Sequence, residues 1–308
     1  MSTVKNKIPL LIILLAIFAK GFAKQIDTVG VVSPSMHISI QNIVILPDDY
    51  DGNKAFPVLY LLHGYGGNHR TWMQIHSGLP ELASLYGIII VCPDGKNSWY
   101  WDSPIDPAMR YETYVTQELV PYMDNHYKTI SNNTGRAITG ASMGGHGGLW
   151  IGFRHSAIFG ACGSIHGGVD IRPFPDNWEM KKALGSYDEH QERWNEHTVI
   201  NQLDRITSNP PAIIMDCGTE DFFFEVNEML HQKLLSLHIP HDYLIHPGEH
   251  NSAYAHNAIE YQLLFFHLYF QKNAKHESTK VRNNFFVFPF VLSCFCIFAL
   301  FYYDPKNL

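Results

Sequence analysis

The stretch GRAITGASMGGHGGLW, residues 135–150, joins a short apolar run with β-branched residues to a glycine-rich segment with helical spacing. Ser142 stands between Gly140 and Gly144 in the pattern G-x-S-x-G. The two glycines lack the β-carbons that would clash where a strand turns sharply into a helix. The stretch therefore predicts a buried strand, a strained turn that lifts the Ser142 hydroxyl off a sheet edge, and a helix whose first amides face that hydroxyl. Taken alone, the pattern also fits a close-packed turn without a function.

Apolar runs and amphipathic stretches alternate on both sides of this turn. We predict an edge strand at 37–46 and strands buried on both faces at 56–64, 87–95, 135–142, 157–167, 211–218 and 241–248. Apolar residues at spacings of three and four predict helices at 112–126, directly after 142, at 226–237 and from 251 to about 271. Strands that alternate with helices indicate an α/β fold with a mostly parallel central sheet and helices on both faces.

Residues 168–207 interrupt this alternation with a long polar, aromatic and charged run between two strands. A simple crossover needs fewer residues, so we expect a cap-like insertion over the carboxyl edge of the sheet. A chain of 308 residues, 46% hydrophobic and 17% charged, can bury one large core, and no internal repeat divides it. The net charge of −7 is spread along the chain, which argues against nucleic acid as a partner.

The amino-terminal segment has the pattern of a signal peptide. Lys5 and Lys7 precede an apolar run at 8–19, and Gly21 and Ala23 have the spacing of a signal-peptidase site. We predict a signal peptide at 1–23, an exported protein and a globular domain at 24–275. An uncleaved anchor is the alternative, although the apolar run is short for a membrane span.

The carboxyl-terminal segment, 276–308, carries the apolar run FFVFPFVLSCFCIFALFYY at 285–303. Its length matches a membrane-spanning helix, so membrane attachment is one prediction for this tail. The positive-inside rule places basic residues on the cytoplasmic side of a membrane span, which for an exported domain is the side after this run. Three basic residues precede the run and only Lys306 follows it, so the charges argue against a membrane span. A sorting segment and a cleaved lipid-anchor signal are the other interpretations.

A serine nucleophile needs a base and an orienting carboxylate, and in this fold they follow later strands in the order Ser, Asp or Glu, His. The segment IIMDCGTEDFF offers Asp216, Glu220 and Asp221. Asp216 lies within the apolar run, whereas Asp221 lies in the loop beyond it and is better placed. Glu220 is the alternative.

The base is expected after the next strand, where DYLIH runs into PGEHNSAY. We predict His250, which stands in the loop just ahead of the last helix. His246 falls at the strand end and His256 inside the helix, where packing or solvent exposure is the better interpretation. Asn251 or Ser252 can cap the helix and leave His250 free to turn inward.

The remaining component is a pair of backbone amides for the oxyanion. One is expected from Met143, directly after the nucleophile, and the other from Tyr65 in the loop LLHGYGG. Cys92, Cys162 and Cys217 have no paired spacing and are predicted to be buried small hydrophobes. The motif HPGEH, residues 246–250, cannot form one helical face, so we expect no metal site. Serine chemistry of the kind predicted here needs no cofactor.

Several segments together resemble the putative-esterase family of α/β hydrolases, which includes S-formylglutathione hydrolases, tributyrin esterases, feruloyl and acetyl carbohydrate esterases, and mycolyltransferases. They are FPVLYLLHGYGGNHRTW, SWYWDSPIDPAMRYETYVTQELVPYMD, RAITGASMGGHGGL, GSYDEHQERWNEHTVINQLDRI, MDCGTEDFF and HPGEHNSAYAHNAI. The resemblance covers about 35–272 and implies the α/β-hydrolase fold. It also implies Ser142 as nucleophile, Asp221 as acid member and His250 as base, with oxyanion amides at Tyr65 and Met143.

These expectations point to a serine carboxylic-ester hydrolase that forms an acyl-enzyme and acts on short-chain acyl, acetyl or feruloyl esters of carbohydrates. The partner is then a small-molecule or glycan acyl ester. The alternatives are an acyltransferase with the same triad and a catalytically silent surface binding protein. Five aromatic residues could line an acyl or sugar pocket or simply pack: Trp99, Tyr100, Trp101, Trp178 and Trp194. The sequence leaves the oligomeric state open.

Overall fold

A computed structural model describes the backbone of residues 25–300 and the side chains of residues 25–276. The predicted signal peptide at 1–23 lies outside the described residues, and the apolar run at 285–303 lies outside those whose side chains are described. Within the described part of the chain, no helix combines the length and the apolar character needed to cross a membrane.

One mixed sheet forms the centre of the fold. Its described strands are β1 (Gln25–Ser33), β2 (Ile38–Leu46), β3 (Val58–Leu62), β4 (Ile89–Pro93), β5 (Arg136–Gly140), β6 (Ala161–Ile165), β7 (Ala212–Gly218) and β8 (Asp242–His246). Their order is β1-β2-β4-β3-β5-β6-β7-β8. The β1–β2 and β2–β4 pairs are antiparallel and the other pairs are parallel. The predicted, mostly parallel sheet is confirmed.

Helices cover both faces of this sheet, as predicted. They are α1 (Thr71–Ile75), α2 (Leu79–Tyr86), α3 (111–126, with a π-helical middle at Tyr114–Leu119), α4 (Met143–Arg154), α5 (Met180–Leu184), α6 (Gln191–Glu196), α7 (Phe224–Ser236) and α8 (Ser252–Leu300). Successive side chains of β3 point to opposite faces of the sheet and so belong to two separate core layers. Val58, Tyr60 and Leu62 face the layer of α3, α4 and α7. Leu59 and Leu61 face the layer of α1, α2 and α8.

Three expectations about elements are corrected. The strand at 37–46 is not an edge strand, because β1 pairs along its whole length with β2. Four residues at the start of β1 are exposed, so the segment lacks the apolar alternation that would have revealed it. The strand at 241–248 is not buried on both faces: β8 is an edge strand in which Ile245 is 46% exposed. The last helix does not end near 271 but continues to Leu300.

The insertion at 168–207 packs into the core rather than lying loosely over it. It contains α5, α6 and two 3₁₀ turns, Val199–Asn201 and Leu203–Arg205. Its buried apolar side chains belong to the same cluster as those of α4. The Ser103 hydroxyl also donates to the carbonyl of Ala183 at 2.6 Å, which ties the insertion to the loop after β4.

Candidate active site

Ser142 occupies a strained turn between β5 and α4. Its φ angle is 59° and its ψ angle is −118°, a backbone conformation that L-residues rarely adopt. A β-carbon at Gly140 or at Gly144 would lie 2.3 Å from the carbonyl oxygen of Leu62, so only glycine fits on either side. The Ser142 amide donates to the carbonyl of Ile165 at 2.9 Å, which fixes the turn against the end of β6. The predicted sharp strand-to-helix turn is present.

Ser142, His250 and Asp221 form a continuous chain of hydrogen bonds. His250 Nε2 lies 2.8 Å from Ser142 Oγ, and His250 Nδ1 lies 2.8 Å from Asp221 Oδ2. A carboxylate accepts only, so Nδ1 carries the proton and Nε2 is free to accept from the hydroxyl. The Asn251 side chain caps α8 through the Tyr254 amide at 2.9 Å, which leaves His250 outside the helix.

The Asp221 carboxylate is held in its charged form. Burial alone would raise its pKa, but contacts from His166 and His250, together with the Phe223 amide at 2.8 Å, keep the pKa well below its usual range. A charged carboxylate behind His250 both orients the ring and stabilises a positive charge that develops on it.

The two other predicted carboxylates and the alternative histidine make different contacts. Asp216 is fully buried, accepts a hydrogen bond from the Tyr254 hydroxyl and has its pKa raised to about 6 by burial. Glu220 accepts from the Gly248 amide and so supports the loop that carries His250. His246, at the end of β8, stacks on a tyrosine of α8 with ring centroids 5.3 Å apart. Of the described carboxylates, Asp221 is the one bonded to His250.

The expected oxyanion amides lie on the two sides of Ser142. Met143 is the first residue of α4, and Tyr65 follows Gly64, where a β-carbon would lie 3.3 Å from Ser142 Cβ. Neither backbone amide hydrogen-bonds to another described residue, so both are available to a ligand. His63 shapes the loop, since its ring bonds to the Gly64 carbonyl at 2.7 Å and accepts from the Gly95 amide at 2.8 Å.

His166 is a residue of the site that the sequence reasoning missed. It lies at the end of β6 with a φ angle of 37° and is 2% exposed. Its ring stacks on that of His250, with centroids 4.2 Å apart, and its Nδ1 makes a long 3.3 Å contact with Asp221 Oδ2. Burial lowers the pKa of His166, which keeps its ring neutral beside His250. The only sequence signal was a histidine directly after the strand that neighbours β5.

A cavity of about 210 Å³ opens beside Ser142 and is lined by Tyr65, Thr71, Ile75, Asn251 and Ala255, among others. Phe222, 51% exposed, covers the face of His250 opposite His166 at 4.2 Å, and it stacks on Trp178 at 5.7 Å. Trp178 is therefore the predicted aromatic residue that lies next to the site. The other four are buried in the core: Trp99, Tyr100, Trp101 and Trp194.

A larger cleft of about 750 Å³ lies elsewhere, between α3, α4 and the insertion, and contains none of the predicted site residues. Its floor is the buried Glu112, which accepts from Trp150, Arg154 and His155 at 2.7–2.9 Å. Although burial opposes ionisation, the bonds from His155 and Arg154 lower the pKa of Glu112 to about 2. A satisfied ion-pair network of this kind holds elements together and has no reacting group.

The cysteines behave as predicted. Cys92, Cys162 and Cys217 are buried free thiols, and burial raises the pKa of the Cys92 thiol to about 12. Such thiols are neutral and poorly reactive.

The parallel sheet and the serine on its strained turn define the class of α/β hydrolases. Residues 33–258 match the family described as "Putative esterase". The chain therefore belongs to this family, as the motifs predicted.

Three similar proteins illustrate the relationship. An esterase of Mycobacterium tuberculosis is 32% identical over 133 residues, which are 42% of this chain, and the chain spans 29% of the length of that relative. An acetyl esterase of Caldicellulosiruptor saccharolyticus is 25% identical and is matched over 71% of this chain and 91% of that protein. The solved structure of a ferulic acid esterase has a TM-score of 0.69 and 27% identity, covering 81% of this chain and 100% of that one.

Proposed function

We propose that the protein hydrolyses carboxylic esters through Ser142, His250 and Asp221. The single observation that supports this most strongly is that one imidazole bridges the serine hydroxyl and a buried carboxylate, with both contacts at 2.8 Å. The order Ser, Asp, His along the chain and the strained turn at Ser142 agree with this assignment.

Acylation begins when Ser142 Oγ attacks the ester carbonyl and its proton passes to His250 Nε2. The carbonyl oxygen becomes an oxyanion, which the amides of Tyr65 and Met143 stabilise. The imidazolium then gives its proton to the leaving alcohol oxygen as the ester C–O bond breaks, and an acyl-enzyme remains. Water, deprotonated by His250, repeats the sequence and releases the acid. Asp221 stays ionised throughout and holds the ring in the required tautomer.

The proposed substrates are short-chain acyl, acetyl or feruloyl esters of carbohydrates. A cavity of about 210 Å³ beside Ser142 suits an acyl group of limited size. The half-exposed Phe222 and its neighbour Trp178 offer aromatic faces at the edge of the site, which suits a ring-bearing acyl group or a sugar. Relatives that carry the names acetyl esterase and ferulic acid esterase agree with this range.

The assignment is tested by replacing the nucleophile. Ser142→Ala is expected to lower kcat on a chromogenic acetate ester by about 10⁴-fold or more, with an unchanged melting temperature. A fluorophosphonate probe is expected to label the parent protein at Ser142 alone. Ser236→Ala, an exposed serine on α7, is the matched control and retains both labelling and activity. Near-full activity of Ser142→Ala, or labelling that survives it, refutes the proposal.

We also propose that the protein is exported. The support is the sequence pattern at 1–23, with two lysines, an apolar run and a small-residue cleavage site. Amino-terminal sequencing of the mature protein is expected to start at Lys24, and a retained Met1 in the cytoplasmic fraction contradicts export. Membrane attachment through 285–303 stays a prediction, which alkaline carbonate extraction of membranes tests.

A further inference from the structure

The insertion reaches the mouth of the proposed site through two consecutive residues, Trp178 and Glu179, which we call the 178–179 bridge. Trp178 stacks on Phe222, which in turn covers one face of His250 with ring centroids 4.2 Å apart. Glu179 accepts a hydrogen bond from the Tyr65 hydroxyl at 3.2 Å. Two adjacent side chains of the insertion therefore reach the side of His250 and the side of Tyr65.

The backbone of the 178–179 bridge is strained. Its φ angles are 48° at Trp178 and 53° at Glu179, in the left-handed region that residues other than glycine seldom adopt. Strained residues of this kind are concentrated at active sites and ligand clamps, because the surrounding structure has to hold them in place. The Glu179 side chain bonds to Tyr65 and Lys182 rather than to the first amides of α5, so the strain does not serve the start of that helix.

A second cavity, of about 290 Å³, lies behind the bridge, between α5 and the segment 96–111, and we call it the insertion cavity. Glu179 forms part of one wall and Asn97 part of another. The Asn97 side chain accepts from the Gly66 amide at 2.8 Å, so the loop that carries Tyr65 touches this wall as well as the bridge. The insertion cavity therefore adjoins the proposed site across Tyr65 and Glu179.

The polar groups of the insertion cavity suit an uncharged ligand with several hydroxyl groups. Two lysines and two carboxylates line it, so their formal charges cancel: Lys96, Lys182, Asp106 and Glu179. A hydroxyl group both donates and accepts, so neighbouring hydroxyls of one sugar can bond to an ammonium and to a carboxylate. An alcohol that carries a phosphate or a carboxylate would instead be repelled by the two carboxylates of the cavity.

The proton transfers of the proposed reaction indicate which part of the ester reaches the insertion cavity. The leaving oxygen takes its proton from His250 Nε2, so the alcohol part lies beside that ring. Phe222 and Trp178 flank the same ring on the side of the insertion. The cavity of about 210 Å³ beside Ser142, between α1 and α8, is then left for the acyl group.

We propose that the insertion cavity binds the sugar unit on the alcohol side of the ester, and that Glu179 and Lys182 determine the preference for an uncharged sugar. This inference rests on the proposed ester hydrolysis, because it assigns the alcohol part of that substrate. Glu179 and Lys182 bond to each other in the protein without ligand, and both turn to the sugar hydroxyls when the substrate binds. Binding energy from this non-reacting part of the substrate raises kcat/KM for a sugar ester.

The test compares two acetate esters that differ only in their alcohol, 4-nitrophenyl acetate and an O-acetylated xylo-oligosaccharide, whose sugar units carry no charge. The readout is the ratio of kcat/KM on the sugar ester to kcat/KM on the nitrophenyl ester. We expect Glu179→Gln and Lys182→Gln each to lower this ratio about tenfold, the effect of losing a hydrogen bond to a charged group. If Glu179 acts only by holding Tyr65, both esters lose activity equally and the ratio stays constant, which contradicts the proposal.

Two further variants complete the set. Ala108→Trp places a large side chain in the insertion cavity from an exposed position, and it should lower the ratio at least as much. Glu189→Gln is the matched control, because Glu189 is another exposed carboxylate of the insertion and accepts from the Ser186 hydroxyl at 2.8 Å, away from the cavity. Its ratio should equal that of the parent protein.

A binding measurement separates this inference from the proposed function. Full-length Ser142→Ala protein is titrated calorimetrically with the deacetylated xylo-oligosaccharide, and adding Lys182→Gln should weaken binding about tenfold. The inference is overturned, with ester hydrolysis intact, if the three cavity variants keep the parent ratio, or if the parent prefers an acetylated oligogalacturonide, whose sugar units are anionic. If the parent hydrolyses neither ester, the proposed function fails, and an absence of sugar binding in the calorimeter overturns the cavity assignment as well.

Discussion

Replacing Asp221 by Asn provides the sharpest test of the hydrogen-bonded chain behind Ser142. The carboxylate accepts from the Phe223 amide through Oδ1 and from His250 Nδ1 through Oδ2, each at 2.8 Å. An asparagine can keep only one of these oxygens. If the amide oxygen keeps the Phe223 contact, the NH₂ group faces His250 and forces the proton of the ring onto Nε2. The ring then cannot accept the proton of Ser142.

The expected cost is a loss of about 10⁴-fold in kcat, the size seen when a triad carboxylate becomes an amide. That factor corresponds to about 5.4 kcal/mol of transition-state stabilisation, at about 1.36 kcal/mol for each factor of ten. The measurement is kcat and KM on a chromogenic acetate ester, with circular dichroism melting as the folding control. Because the contacts that change orient the base rather than bind the ester, the loss should fall on kcat and leave KM nearly constant.

Glu220→Gln is the matched control for this variant, since Glu220 is the neighbouring carboxylate of the same loop. Its contact is with the Gly248 amide, and a glutamine oxygen can accept the same hydrogen bond. We expect less than about a tenfold loss of kcat. The reasoning is refuted if Asp221→Asn keeps more than a tenth of the parent kcat while Glu220→Gln falls below a tenth of it. Glu220 would then be the acid that orients His250.

Three further substitutions test other contacts. His166→Phe keeps a ring stacked on His250 but removes the contact to Asp221, so the Asp221 carboxylate interacts more strongly with His250. The acid limb of the kcat/KM pH profile should then move up by about 0.5 to 1 pH unit. An unmoved limb contradicts a positioning role for His166. Burial raises the pKa of Asp216 from 3.8 to about 6. The protonated carboxyl therefore stabilises the folded state fully below pH 3.8, and this stabilisation, at most about 3 kcal/mol, is lost as the pH rises through 6. Asp216→Asn should therefore gain melting temperature relative to the parent between pH 4 and pH 7, and a constant difference across that range would show that the carboxyl does not titrate there. Gly144→Ala places a β-carbon 2.3 Å from the Leu62 carbonyl, so thermal unfolding should reveal a loss of about 3 kcal/mol or more, and a parent-like melting temperature would mean that the turn relaxes.

Local patterns were sufficient to place the elements around the site. The strands β3 to β7 are short, mostly apolar runs that are buried on both faces, and such runs are recognisable in a sequence. The positions of Ser142, Asp221 and His250 followed from the same logic, since each lies just beyond the end of a parallel strand. Strand ends of a parallel sheet meet at one edge, so residues far apart in sequence come together there.

Edge strands and non-local contacts could not be read from the sequence. An edge strand pairs with one neighbouring strand and exposes its other edge to solvent. For this reason β1 carries exposed polar residues and β8 is only partly buried. His166 lies beside Asp221 because β6 and β7 are neighbours in the sheet, and the residues around position 166 give no sign of this pairing. The stack of His76 on His256 likewise depends on how α1 and α8 cross.

The two rings that enclose His250 have a mechanical consequence. With His166 on one face and Phe222 on the other, each with its ring centroid 4.2 Å from that of His250, turning the imidazole about its Cβ–Cγ bond requires one of these two rings to move. Under the proposed mechanism, the ring is therefore already oriented towards the Ser142 hydroxyl before the ester binds, so little orientational freedom is lost in each turnover.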